Sequence, residues 1–74
     1  MDITQMKEGD KGVVVEICGG CGIVNKLDAL GIRPGVEITK ISSQFLRGPV
    51  ILQVGNTQVA IGYGMARRVL VEPK

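Results

Sequence analysis

Two alternating runs, Val50-Ile51-Leu52-Gln53-Val54 and Thr57-Gln58-Val59-Ala60-Ile61, are separated only by Gly55-Asn56. A two-residue connection of this kind folds the chain back as an antiparallel hairpin. That turn sets Leu52 opposite Val59 and Val50 opposite Ile61, so apolar side chains meet on one face, as a single-sided core requires. The constraint is strong because the chain has only 74 residues. Such a length suits one domain, residues 1–74, with a thin core. Eleven glycines and three prolines favour short strands and tight turns over long helices.

The remaining elements fall on either side of the hairpin. Gly9, Asp10 and Gly12 make the stretch from Met6 to Gly12 turn-rich. Val13 to Cys18 then reads as a strand, with Val13, Val15 and Ile17 expected on one face. Gly19-Gly20 breaks it. A helix is expected from Gly22 to Leu30, with Ile23, Val24, Leu27 and Leu30 as its apolar stripe. Gly31 fits the left-handed position just past the helix end, with Ile32 packing back on Leu27. Arg33-Pro34-Gly35-Val36 fits a type II turn. A second strand follows from Val36 to Ser42. Its alternation breaks between Ile38 and Ile41, which predicts a bulge or bend. Ser43 to Gly48 reads as a loop, Gly62 to Ala66 as one helical turn, and Val69 to Glu72 as a last strand. About five short strands with one inserted helix predict a mostly β fold, a small, partly open barrel of the SH3-like kind.

Function classes narrow quickly. The chain has no histidine, its seven carboxylates form no acid/base pair, and its two serines have no neighbouring base. The expectation is a protein that binds rather than catalyses. A net charge of +2 and only two aromatic residues, Phe45 and Tyr63, argue against a nucleic-acid partner. No charged residue occurs from Gly48 to Ala66, but its polar centre and alternation indicate the hairpin, not a membrane span. With no leader-like N-terminus, the expected location is the cytoplasm.

Cys18-Gly19-Gly20-Cys21 is the one constellation with metal or redox chemistry. Two thiols spaced this way can hold one face of a tetrahedral zinc or iron ion, and a homodimer would supply four. They can also pair as a disulfide. Cys21 stands at the start of the expected helix, whose positive end favours a thiolate. A purely structural role stays open too, with Cys18 a small core residue and Cys21 filling a turn. Phe45, Leu46 and Arg47 in the loop form either a partner-binding patch or a cover over the barrel mouth. Arg67 and Arg68 read as a solvated edge, one of them reaching a carboxylate, or as a surface for an acidic partner.

Leu30 to Ile38, Leu-Gly-Ile-Arg-Pro-Gly-Val-Glu-Ile, resembles the signature turn of the FeoA family of bacterial ferrous-iron transport. Gly9 to Ile17, Gly48-Pro49-Val50 and Ala66 to Val71 are similar to that family in the same order. The resemblance implies an SH3-like barrel with an inserted helix and a non-enzymatic role. It also implies a large membrane ferrous-iron transporter, with its own GTPase domain, as the partner. The same barrel occurs as a C-terminal domain of iron-dependent repressors, which associates the fold with transition-metal binding. Many members carry two arginines before the helical leucine, where this chain has Asn25 and Lys26. Lys26 and Arg33 therefore join the candidate partner-binding residues.

Overall fold

The hairpin forms in the expected register. In the computed structural model, which describes residues 1–42 and 48–74, β3 (Val50–Val54) pairs with β4 (Thr57–Ile61), Leu52 against Val59 and Val50 against Ile61. Three further strands complete one sheet. They are β1 (Lys11–Ile17), β2 (Glu37–Ser42) and β5 (Val69–Pro73). All neighbours are antiparallel, and the spatial order is β4-β3-β2-β1-β5. The sheet is open, with β4 and β5 at its edges. Two helices interrupt it, α1 (Cys21–Ala29) and the single turn α2 (Tyr63–Ala66).

Local chemistry explains the end of α1. Gly31 takes φ +86°, its N–H donates to the Asp28 carbonyl at 2.9 Å, and the Ile32 N–H donates to Leu27 at 2.9 Å. This is the paired-bond stop that a left-handed glycine permits. Ile32 and Leu27 are both fully buried in the same apolar cluster. The next four residues form the type II turn. Gly35 has φ +93° and the Val36 N–H reaches the Arg33 carbonyl at 3.1 Å. The turn is docked on β1, since Val14 bonds both Val36 and Gly35.

The first strand departs from the sequence expectation. Its inward residues are Gly12 and Val14, and Val15 is 46% exposed. The register shifts between Val14 and Glu16, where Val15 is an extra residue against β5. A bulge of this kind resets the alternation, so Ile17 still packs against the core. Three successive valines carry no alternation, and so hide such a shift. Val24 on α1 and Leu30 at its C-terminal cap are more than one-third exposed, so Leu27 and Ile23 of the expected stripe serve the core.

The bulge expected on β2 is present, between Lys40 and Ser42. It turns Ile41 outward and leaves Lys40 inside at 2% exposure. The Lys40 ammonium donates to the carbonyls of Met6 at 2.6 Å, Ile3 at 3.0 Å and Thr4 at 3.4 Å. These belong to a 3-10 turn at Ile3–Gln5 and the residue after it. Asp2 caps the other end of that turn, accepting from the Thr4 N–H at 2.8 Å and from the Thr4 hydroxyl. Gln5 returns a bond by accepting the Asp2 N–H at 2.9 Å, a capping box. The segment so fixed lies along β5, where Met1 accepts the Val71 N–H at 2.8 Å and Asp2 bridges Leu70. Burial alone pushes the Lys40 ammonium below its ordinary value, and the charges of Asp2, Asp10 and Glu8 act against that.

Candidate functional site

The cysteine segment joins β1 to α1. The Cys18 N–H donates to the Arg68 carbonyl at 2.7 Å, which anchors the strand end to the residue before β5. Cys21 is the first residue of α1, and the Gly20 carbonyl accepts from Ile23 at 3.1 Å and Val24 at 3.2 Å. Both thiols are free and exposed. Cys18 is thus no core residue, because the strand has left the apolar interior at Ile17. Its thiol donates to a carboxylate oxygen of Glu16 at 3.8 Å. The sequence held a signal for that partner, since residues two apart on an extended chain share a side.

No group of three or more His, Cys, Asp or Glu side chains comes together among the described residues. Residues 43–47 contain none of these types. One copy of the chain therefore offers two thiolates, half the set that a structural zinc site uses.

The arginine pair lies beside this segment. Arg67 and Arg68 follow α2, where their N–H groups donate to the Tyr63 carbonyl at 3.1 Å and the Met65 carbonyl at 3.0 Å. Both are exposed, and with Gly64 they line a shallow depression. The Arg68 side chain runs past Gly19, its Cδ 3.7 Å from where a Cβ on that glycine would stand. Neither arginine has an ion pair among the described residues, contrary to the expectation that one would reach a carboxylate. Arg33 does pair, with Asp28 at 3.0 Å, but both side chains are more than half exposed, so the contact adds little stability. Lys26 is exposed in the last turn of α1. Phe45, Leu46 and Arg47 lie outside the described residues. Cys18 and Arg68 are thus brought together, with Arg67 next to Arg68, while Cys21 opens α1 and Lys26 and Arg33 sit on α1 and the turn after it.

The model of the FeoA domain matches residues 1–73. The chain belongs to the FeoA family. It is 38% identical over 66 residues to a protein of Methanocaldococcus jannaschii that carries the name Fe(2+) transport protein A, covering 89% of this chain and 78% of that one. Among solved structures it is similar to the crystal structure of an iron uptake regulatory protein, FeoA. That match has 40% identity and a TM-score of 0.91, and covers 100% of this chain and 96% of the other. A manganese-dependent transcriptional repressor superposes with a TM-score of 0.91 at 16% identity, covering all of this chain and 41% of the repressor. At that identity it shows the fold alone, the SH3-like domain expected from the strand pattern. FeoA membership implies an accessory role in ferrous-iron transport. Among the described residues, no helix of this FeoA chain is long and apolar enough to cross a membrane.

Proposed function

We propose that this FeoA chain is a non-enzymatic accessory of ferrous-iron uptake that binds the cytoplasmic GTPase-bearing part of the membrane transporter. The family match over residues 1–73 carries the reading. The exposed cations give it a surface. Lys26, Arg67 and Arg68 have no ion pair among the described residues, and Phe45, Leu46 and Arg47 are the further apolar and basic candidates that the sequence offers. Arg33, tied to Asp28, is the least available. Unpaired surface cations steer an acidic partner and set its orientation. The test is calorimetric titration against the transporter's cytoplasmic domain in both nucleotide states. Binding in at least one state is expected, with Arg67→Glu and Arg68→Glu together weakening it and Arg33→Ala leaving it nearly unchanged. No binding in either state overturns the reading.

The exposure of both thiols supports a second reading, in which Cys18 and Cys21 bind a transition metal. Loss of metal binding in Cys18→Ser and Cys21→Ser, with the fold intact, is the expected result.

A further inference from the structure

We propose that the free edge of β4 pairs with β4 of a second copy of this chain, antiparallel and about a two-fold axis through Val59. This goes beyond transporter binding, whose candidate cations Lys26, Arg67 and Arg68 lie on α1 and after α2.

The chain treats its two sheet edges differently. The edge at β5 is covered: Val71 donates to the Met1 carbonyl and Asp2 bridges Leu70. That strand also ends in Glu72 and Pro73, a charge and a residue without a donor, both of which discourage further pairing. The edge at β4 has none of these guards. Thr57–Ile61 contains no charge and no proline, and its register with β3 runs without a bulge. Among the described residues, no segment bonds its outer side.

The hairpin register fixes which groups face outward. Val54 and Thr57 flank the two-residue turn, and residues so placed exchange hydrogen bonds. Alternation then gives the same bonded pairing to Leu52 with Val59 and to Val50 with Ile61. Gln58 and Ala60, between them, turn their N–H and C=O groups to the open side. Both residues are exposed.

The two-fold arrangement uses all of these groups. It sets Gln58 opposite Ala60 of the second copy, and Ala60 opposite its Gln58. Each pair exchanges two bonds, so no outward N–H or C=O is left over. Val59, half-buried against the core cluster, meets the second copy's Val59, and Thr57 meets its Ile61. A two-fold contact sets each patch against itself, so a charge at the centre of this edge would face its own sign. No charged residue occurs from Gly48 to Ala66. The same neutrality gives the edge no charge with which to select a different partner. The ladder is about 17 Å long, and its few bonds compare with about ten in a typical interface, so the dimer is weak and reversible.

The experiment is sedimentation equilibrium of the full chain under reducing conditions, in a series reaching about 1 mM. The apparent mass should climb toward twice that of the monomer. Ala60→Pro removes an outward donor and leaves the bonds to β3 untouched; it should melt as the parent does and stay monomeric. The register is read by crosslinking with oxidised glutathione in a Cys18→Ser/Cys21→Ser background. A non-hydrogen-bonded pair sets its Cα atoms about 4.5 Å apart, within disulfide range, so Val59→Cys should crosslink at least about tenfold faster than Ala60→Cys, which faces Gln58. A parent that stays monomeric throughout the series overturns the pairing, as does a dimer that Ala60→Pro leaves intact. Equal crosslinking at positions 59 and 60 overturns the axis through Val59, and this comparison decides the matter should Ala60→Pro fail to fold.

Discussion

Replacing Lys40 with methionine isolates the most unusual group in the core. The substitution keeps nearly the same length and volume but removes the donor that three carbonyls share. Ile3 keeps a partner, because its carbonyl also accepts the Met6 N–H at 3.1 Å. The Met6 carbonyl, held at 2.6 Å in a buried setting, loses the partner it has. An unsatisfied buried group costs about 1–3 kcal/mol, and a bond from a charged donor contributes about 1.5–3 kcal/mol. Release from burying an ammonium offsets part of this. The net expectation for Lys40→Met is a loss of about 2 kcal/mol, against a total of about 4–11 kcal/mol for a chain of this length. With a urea slope of about 1 kcal/mol/M, the midpoint falls by about 2 M. Hydrogen exchange supplies the local readout. The Val71 amide, which Met1 protects, should exchange faster in the variant than the amides of the β3–β4 hairpin. The pH dependence has a definite sign. Burial lowers the Lys40 value in the folded state below the ordinary 10.5. The unfolded chain therefore holds the proton over a window in which the folded chain has released it, and stability rises with pH there. The advantage of the parent over Lys40→Met should grow as pH climbs through that window toward 10.5. An equal or higher urea midpoint for the variant would refute the argument, because it would place the lysine among buried charges that apolar residues replace without loss.

Three other outcomes are expected. Gly31→Ala puts a side chain at φ +86° and should cost about 1–2 kcal/mol, measured by chemical denaturation; an unchanged midpoint would remove the left-handed stop as the reason for this glycine. Leu52→Ala empties a fully buried position in the centre of β3 and should cost about 2–5 kcal/mol, with the denaturant slope unchanged. For Glu37, the hydrogen bond from Lys74 at 2.6 Å and then its charge hold the carboxyl below its ordinary value. The stability difference between the parent and Glu37→Gln should be present above about pH 4.5, fade as pH falls through the lowered folded value, and shrink in high salt.

What was legible in the sequence was whatever adjacent residues decide. Gly55-Asn56 sets the hairpin, Gly31-Ile32 ends the helix, and Pro34-Gly35 makes the turn, each through bonds spanning a few positions. The bulge on β2 was also visible, as a break in alternation. The one on β1 was not, because Val13-Val14-Val15 offers the same apolar character on both faces. Which valine turns inward is settled by pairing with β5, far along the chain. The burial of Lys40 lies beyond local reading for the same reason, since its acceptors are more than thirty residues away. The capping box of the first turn did have a signature, Asp2 followed by Gln5, of the kind that opens longer helices. At the candidate site the cysteine spacing was plain. Its exposure and the presence of Arg68 beside it depend on how β1 and β5 meet.

The strip formed by Met1 and Asp2 along β5 also bears on the order in which the chain assembles. Met1 and Val71, and Asp2 and Leu70, are separated by nearly the full sequence, so their pairings close the longest loops among the described residues. Closure entropy rises with loop length, and long-range pairings are rewarded only after it is met. The β3–β4 hairpin, closed by two residues, faces almost none of that cost. Assembly should therefore begin at the hairpin and end at the strip. Lys40 bridges those two stages. It lies on β2, paired to the hairpin through Leu52, and it holds the carbonyls of the segment that arrives last.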